Sequence, residues 1–349
     1  MPFHPGLTVN PETAFQHLDK IPHQMRTMLR RAVQPLPAGQ PDQIVVVGVG
    51  TSAAAGACLQ AFTSDRLPCP LIVLGDSHLP AFVSAGTLVI LISYSGNPPD
   101  MIRLYHEAAA RGASMLVVSG GGDLARMARR RSDPAIRLPA GLLGGTSLYP
   151  TVILLLLTLA ASGLIPDPRA EIMEAIRVMR ALRREVEPKK QLPFNQARIL
   201  AEQFFMALPV IWGSGDATGA AAQRWKRQLN RISQVSAISG QLPELALADW
   251  LGLRQPKAVV NRASVILLTD GMEDEFRRDL FERASELARD RVKVILTLKP
   301  AGESRMARTL WLIYLGDWVS AYLAELYGLH PQEAIESELC AAVAAAKRD

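Results

Sequence analysis

The chain has 349 residues, of which 49% are hydrophobic and 20% are charged, and this length allows two domains that each bury a core. A net charge of +5 suits an anionic small ligand, but the sequence lacks dense basic clusters, so we expect no nucleic-acid partner. The three cysteines are far apart and form no CxxC pair: Cys58, Cys69 and Cys340. We therefore expect no disulfide framework and no zinc site. We also expect no other metal and no cofactor.

Two segments bear on the location of the protein. The first ten residues do not have the basic and then apolar pattern of a secretory signal. The apolar stretch at residues 151–165 has 15 residues, whereas a membrane-spanning helix needs about 20. We expect a buried helix there, no membrane contact and a cytoplasmic protein.

In the first half of the chain, short apolar runs alternate with helical patterns, which is typical of parallel α/β layers. The continuous apolar character of these runs predicts strands that helices cover on both faces. The predicted strands are residues 44–49, 71–74, 88–93, 114–119 and 135–138. The predicted helices between them are residues 53–63, 99–111 and 124–131.

Pro166 and Pro168 interrupt this alternation, and a charged amphipathic stretch at residues 171–187 predicts a connecting helix. The predicted domains are therefore residues 1–165, which include an N-terminal helical extension, and residues 193–349. Residues 166–192 form the predicted linker.

The second half repeats the plan of the first. An apolar run from residue 209 leads into Gly213-Ser-Gly215, and a helix is predicted at residues 217–229. Further strands are predicted at residues 264–268, 292–298 and 310–315. Each half opens with an apolar strand, a Gly-x-Gly turn and a helix of small residues, which indicates two copies of one fold.

Two glycine-containing loops predict a phosphate site. Ser93 and Ser95 lie at the end of a predicted buried strand, within the run Ser93-Tyr94-Ser95-Gly96-Asn97, and the first strand ends at Gly50-Thr51-Ser52. Each loop offers hydroxyl groups, approachable backbone N–H groups and the partial positive charge of a helix N-terminus. Since the loops after neighbouring parallel strands converge on one crevice, both could surround one phosphate.

A second interpretation of the first loop is dinucleotide binding. Gly48, Gly50 and Ala53 fit the spacing of that fingerprint, and Asp76 follows the second strand where a ribose-binding acid could lie. The loop at Ser93–Asn97 has no role in that fingerprint, so this interpretation ranks behind phosphate binding.

With these motifs the chain resembles the sugar isomerase (SIS) domain family, and more narrowly the bifunctional phosphoglucose/phosphomannose isomerases. The run from Ser93 to Asn97 matches the Ser-Tyr-Ser-Gly-Asn-Thr phosphate loop of that family, and the Gly48 loop takes the place of its Gly-x-Gly-Gly-Ser-Gly loop. Arg224 and the following residues, with Leu242-Pro-Glu244, stand where the family has Arg-x-Lys-x-x-x-Asn-Glu-Asn and Leu-Pro-Glu.

The resemblance implies an α/β fold with two flavodoxin-like αβα sandwich domains and mainly parallel sheets. It also implies a homodimer whose active site lies between the domains and at the subunit interface. Family members interconvert aldose and ketose 6-phosphates by moving a proton between C1 and C2. That reaction needs a carboxylate base, a histidine for ring opening and a cation near the developing oxyanion.

The chain departs from the family pattern at these chemical groups. Arg231 stands in place of the glutamate base, Leu247 in place of the histidine and Gly145 in place of an arginine. Pro98 replaces the threonine of the phosphate loop, and the lysine of the C-terminal helix has no counterpart, although Lys347 lies further on. An arginine stays protonated and a leucine transfers no proton, so the family's own mechanism cannot operate.

The remaining catalytic candidates are Glu244, Asp249 and Arg231. Either acid could serve as a new base or be merely structural, and Arg231 could contact the ligand or only line the cleft. Two hypotheses follow: an isomerase of sugar phosphates with rebuilt acid–base residues, and a sugar-phosphate sensor or regulatory binding protein without turnover.

Overall fold

The computed structural model describes residues 11–36, 39–75, 78–142, 145–190 and 194–329. The strands, in chain order, are β1 Gln43–Val47, β2 Leu71–Leu74, β3 Thr87–Ser93, β4 Ser114–Ser119, β5 Ala135–Arg137, β6 Leu208–Gly213, β7 Ile238–Gln241, β8 Ala263–Leu268 and β9 Val294–Leu298. The helices are α1 Pro11–Leu29, α2 Thr51–Thr63, α3 Pro99–Ala110, α4 Gly122–Arg131, α5 Leu148–Ala161, α6 Arg169–Val186, α7 Gln196–Phe204, α8 Asp216–Ile232, α9 Lys257–Val260, α10 Glu275–Ala288 and α11 Arg305–Leu326.

The first sheet is parallel and has the strand order β2-β1-β3-β4-β5. Every residue of the central strand β3 is buried, because helices cover both faces of the sheet. One apolar cluster contains Ile44 and Ile90 on one face, and another contains Val45 and Val89 on the other. This arrangement confirms the predicted α/β sandwich and explains why the strands are continuous apolar runs.

The second sheet is also parallel and has the order β7-β6-β8-β9. In this sheet β6 lies between β7 and β8, just as β1 lies between β2 and β3 in the first sheet. This strand order is flavodoxin-like. The two sheets therefore confirm the predicted repetition of one plan. The domain boundaries predicted at residues 165 and 192 remain predictions.

One predicted strand is wrong. Residues 310–315 lie in the middle of α11, a helix of 22 residues that is buried continuously from Met306 to Ala324. A helix that is surrounded by protein has no polar face, so its apolar run cannot be distinguished from a buried strand by periodicity. The Ser304 hydroxyl caps the helix by accepting a hydrogen bond from Ala307 N at 3.1 Å.

Helices join the two sheets into one body. Helix α11 packs against α6, α7 and α8, and also contacts α1, where the Tyr314 hydroxyl donates to the Leu18 carbonyl at 2.7 Å. The predicted buried helix at 151–165 is α5, whose residues Leu148–Leu159 are all buried and which packs against α1 and α2. Among the residues that the structure describes, no helix has both the length and the apolar character that crossing a bilayer requires.

Candidate functional site

The first loop of the predicted phosphate site joins β1 to α2. Gly48 leaves no room for a side chain, because a Cβ there would lie 2.7 Å from the Ser52 Cβ. Gly50 adopts a positive φ of 60° directly before the helix, which has no side-chain cap at its N-terminus. The half-buried Thr51 and Ser52 form no side-chain hydrogen bonds with the described residues. Their hydroxyl groups and the N–H groups of Thr51 and Ala53 are therefore available to a ligand, whereas Ser52 N already donates to the Val49 carbonyl at 3.2 Å.

The second loop joins β3 to α3, and its residues divide into two groups. Tyr94 has a structural role, since its hydroxyl donates to the Pro139 carbonyl at 3.1 Å and accepts from Leu142 N at 3.0 Å. Asn97 is also committed, because its side-chain oxygen accepts from Asp123 N at 3.1 Å.

The other residues of this loop, Ser93, Ser95 and Gly96, can still interact with a ligand. The buried Ser93 hydroxyl oxygen accepts from Gly96 N at 3.2 Å, which leaves its proton free to be donated. The exposed Ser95 hydroxyl has no hydrogen-bond partner among the described residues. Gly96 has a φ of 70°, and a Cβ there would lie 2.0 Å from the Gly121 carbonyl oxygen. Only glycine fits at this close approach to the loop before α4.

The two loops lie side by side. Strands β1 and β3 are paired in parallel register, with Val47 opposite Leu91, so both chains leave the same edge of the sheet at neighbouring positions. The structure thus brings together the junctions that the sequence predicts to share a phosphate. Asp76, the acid of the dinucleotide interpretation, lies outside the described residues.

An arginine of the second domain reaches the first loop. Arg227 of α8 donates from Nη1 to the Gly50 carbonyl at 2.9 Å. Helices α2 and α8 are antiparallel, because Asp216 at the start of α8 lines a groove together with Ser64, just beyond the end of α2. Sequence reasoning missed Arg227, although the spacing of Arg224, Arg227 and Arg231 places all three on one face of a helix.

A buried ion pair supports this face of α8. The Arg224 guanidinium binds both carboxylate oxygens of Asp317, with Nε–Oδ1 3.0 Å and Nη2–Oδ2 3.1 Å, and the Tyr149 hydroxyl donates to Asp317 at 2.8 Å. Burial lowers the pKa of Arg224, but the charge and hydrogen bonds of Asp317 outweigh it and raise the pKa. Burial and the same carboxylate raise the pKa of Tyr149.

Gly145 contacts this pair. Its carbonyl accepts from Arg224 Nη2 at 3.2 Å, and a Cβ at this position would lie 3.0 Å from the guanidinium nitrogens. The Arg224 side chain therefore occupies the space next to Gly145, with its charge already neutralised by Asp317.

The candidate acids lie elsewhere in the protomer. Asp249 packs its carboxylate against β7, since a Cβ on Gly240 would lie 2.1 Å from Asp249 Oδ2. Glu244 is exposed and forms no ion pair with a described residue. Both follow Gln241, which lines the groove at the end of α2 with Ser64. The 13 residues of α2 extend about 20 Å, so Gln241, at the start of the segment that carries both acids, lies toward the end of α2 that is remote from Thr51. Arg231, by contrast, lies beyond Arg227 on the side of Gly50.

The corresponding junction in the second sheet is filled by the chain itself. The Ser214 hydroxyl, after β6, donates to Glu273 Oε1 at 2.5 Å, and Asp270 N donates to the same oxygen at 2.7 Å. Burial raises the pKa of Glu273, but these hydrogen bonds outweigh it and hold the pKa below its usual value. In addition, Thr218 Oγ1 accepts from Gly215 N at 2.9 Å.

A cavity of about 450 Å³ lies beside this second junction, between the end of α2 and the start of α11. Its charged lining residues are Asp65, Arg66, Glu171, Asp216, Asp270, Glu273, Arg277, Arg305 and Arg308. Five carboxylates thus face four guanidinium groups, so the cavity has no excess of positive charge. Most of its arginines are also paired, as Arg66 is with Glu171 at 2.7 Å.

The residues suited to other chemistry are few. Within the described ranges, no group of three or more histidine, cysteine, aspartate or glutamate side chains could hold a metal ion. Burial raises the pKa of the Cys58 thiol to about 12, so this group is inert at neutral pH. The exposed His78 follows β2 and accepts from Arg103 Nη1 at 3.3 Å.

Comparisons with known proteins define the class first. Residues 39–162 match the model of the SIS domain, and residues 194–336 match that of the bacterial phospho-glucose isomerase C-terminal SIS domain. A solved structure, the C-terminal domain of glucosamine-fructose-6-phosphate aminotransferase from Francisella tularensis, has the same fold, with a TM-score of 0.68 at 16% identity over 92% of this chain and 98% of that chain.

Two curated relatives narrow the class. A bifunctional phosphoglucose/phosphomannose isomerase from Caldicellulosiruptor bescii is 33% identical over 83% of this chain and 86% of its own length. One of the same name from Aquifex aeolicus is 29% identical over 82% of this chain and 86% of its own length. The chain belongs to the bifunctional phosphoglucose/phosphomannose isomerase family.

Proposed function

We propose that this chain binds a phosphorylated sugar, a hexose 6-phosphate, with the phosphate held between the loop after β1 and the loop after β3. The observation that carries the proposal is the pair of neighbouring junctions with uncommitted hydroxyl groups on Thr51, Ser52 and Ser95. An uncapped helix N-terminus and hydroxyl donors together stabilise a dianion. Gly50 and Gly96 allow the ligand to approach the backbone.

The family relation favours aldose–ketose isomerisation as the reaction. With Arg231, Leu247 and Gly145 in place of the expected glutamate, histidine and arginine, the acid–base residues would be non-canonical. Glu244 and Asp249 follow Gln241, which lies toward the end of α2 remote from Thr51, so we infer that either acid would reach the sugar from a second subunit. We therefore propose a homodimer in which the partner supplies the base. We also propose that the protein is cytoplasmic.

A specific observation favours a second candidate function, sugar-phosphate binding without turnover. Arg231 is the catalytic candidate on the Gly50 side of the protomer, and its guanidinium cannot accept a proton at neutral pH. A sensor or regulatory protein needs the phosphate loops and does not need the acid–base residues.

Binding is tested by thermal unfolding with glucose 6-phosphate. We expect the sugar phosphate to raise the melting temperature of the parent protein and to have no effect on the Ser93→Ala/Ser95→Ala double variant. Ser239→Ala, on the edge strand β7, is the matched control and should respond like the parent. A double variant that responds like the parent would show that the phosphate binds elsewhere.

Turnover is tested by incubation with glucose, mannose and fructose 6-phosphates in deuterated water. Isomerisation through an enediol exchanges the hydrogen at C1 or C2 with solvent, so NMR should detect deuterium at these carbons. Binding without interconversion and without exchange would reject the isomerase in favour of the non-catalytic function.

A further inference from the structure

The face of α8 that meets the first domain carries three arginines, and an acid in the described residues neutralises only one of them. Arg224 is neutralised by Asp317. Arg227, one turn further on, is half-buried and contacts the Gly50 carbonyl. Arg231 lies one more turn along and is exposed. Neither Arg227 nor Arg231 forms an ion pair with an acid in the described parts of the chain.

The antiparallel packing of α2 and α8 determines where these two arginines lie. Arg227 is level with Gly50, immediately before the first residue of α2. Four further residues of α8 advance about 6 Å along its axis. Arg231 therefore lies beyond the N-terminus of α2, next to the space in front of the two phosphate loops.

The two charges are costly in the absence of an anion. Residues at i and i+4 are neighbours on a helix surface, and like charges there destabilise the helix. Loss of hydration next to the protein, and then the charge of Arg224, lower the pKa of both Arg227 and Arg231. Both groups stay protonated at neutral pH, so an anionic group from a ligand would relieve this repulsion.

We propose that Arg227 and Arg231 form a second anion-binding subsite beside the phosphate loops, and that the ligand is a sugar phosphate with a second acidic group. This inference rests on the proposed function, because the phosphate loops hold the first anion. Two guanidinium groups one turn apart match a carboxylate or a second phosphate, with hydrogen bonds that are charge-assisted.

Isothermal titration of the full-length protein with three probes tests the subsite. Glucose 6-phosphate has one acidic group, 6-phosphogluconate adds a carboxylate at C1, and fructose 1,6-bisphosphate adds a second phosphate. We expect at least one of the two doubly acidic probes to bind about tenfold or more tightly than glucose 6-phosphate. The probe with the larger gain identifies the second group as a carboxylate or a phosphate.

Variants assign this preference to the two arginines. Arg227→Met and Arg231→Met keep the apolar stem of each side chain and remove its charge, so both should reduce the preference to less than about threefold. Arg283→Met, on the exposed face of α10, removes the same charge far from the loops and should keep it. Since Arg231 is exposed, its variant should fold like the parent.

The outcomes separate the two proposals. Equal binding of all three probes, or a preference that survives in both variants, would overturn the subsite and leave the proposed function intact. If none of the three probes binds, the proposed function fails, and the subsite fails with it.

Discussion

The two sheets end in similar junctions that are used differently. After β6, Glu273 places a carboxylate on the Ser214 hydroxyl at 2.5 Å, and Thr218 Oγ1 accepts from Gly215 N at 2.9 Å. After β1, the described residues place no carboxylate on Thr51 or Ser52, and α2 has no side-chain cap. The second junction has its own anion, whereas the first is left open.

This difference separates a property of the fold, which is the attraction of negative charge, from a property of individual residues, which is the source of that charge. A strand, a glycine turn and a helix N-terminus attract negative charge in either domain. Whether that charge comes from the chain or from a ligand depends on the loop of the neighbouring strand. In the second domain that loop carries Glu273, and in the first domain the corresponding loop carries Ser93 and Ser95.

The largest expected effect concerns two glycines with a positive φ, Gly96 in the loop after β3 and Gly271 in the loop after β8. Gly96 and Gly271 have φ values of 70° and 74°, but a Cβ on Gly96 would lie 2.0 Å from a carbonyl oxygen, whereas Gly271 has open space. Gly96→Ala should cost about 2–5 kcal/mol, from left-handed strain and a steric clash. Gly271→Ala should cost only the strain, about 1–2 kcal/mol. Urea unfolding measures both, and equal losses would contradict the close approach.

The second largest expected effect concerns Glu273, whose carboxylate fills the junction after β6. Glu273→Ala leaves the Ser214 hydroxyl and Asp270 N without their acceptor, so the free energy of unfolding should fall by about 1–3 kcal/mol. Glu286→Ala, at an exposed surface pair, is the control and should change stability by less than about 0.5 kcal/mol. If the two variants lost the same stability, Glu273 would not be what fills the second junction.

A charge placed in the open junction should make it resemble the filled one. Ser95→Asp brings a carboxylate to the first junction, where it repels a phosphate, and should weaken the binding of glucose 6-phosphate by about tenfold or more. Ser95→Asn has nearly the same shape without the charge and should retain most of the affinity. Titration calorimetry compares the two, and indistinguishable affinities would exclude a phosphate near Ser95.

The smallest effect is the pH dependence of the second junction. The pKa of Glu273 is lower in the folded protein than its usual value of 4.5. Its contribution to stability is therefore complete above about pH 5 and is lost as the pH falls through the folded pKa. Glu273→Gln lacks this contribution, so the difference in unfolding free energy between parent and variant should shrink below about pH 4.5. A difference that does not depend on pH would contradict the charge on Glu273.

The sequence predicts most of the first sheet because buried parallel strands leave a local signal. Strands β3 and β4 begin and end within one residue of their predicted limits. Strand β7 was missed, since Ile238–Gln241 contains a serine, a glycine and a glutamine at the edge of a sheet. Residues 310–315 were wrongly predicted as a strand because α11 is buried on all sides, and an apolar run alone does not separate the two structures.

The site could be predicted in part. Neighbouring strands follow from the fold class, so the convergence of the Thr51 and Ser93 loops was foreseeable. The contact of Arg227 with Gly50 joins residues 177 positions apart, and the pair of Arg224 with Asp317 spans 93. Such contacts depend on how segments that are far apart in the sequence pack together, which a local motif does not encode.

The most direct measurement is a crystal structure of the protein with glucose 6-phosphate. We expect the phosphate at the first junction, within hydrogen-bond distance of Thr51, Ser52 or Ser95, and no ligand at the second junction, where Glu273 stays on Ser214. A phosphate in the cavity beside Arg308, with the first junction empty, would contradict it.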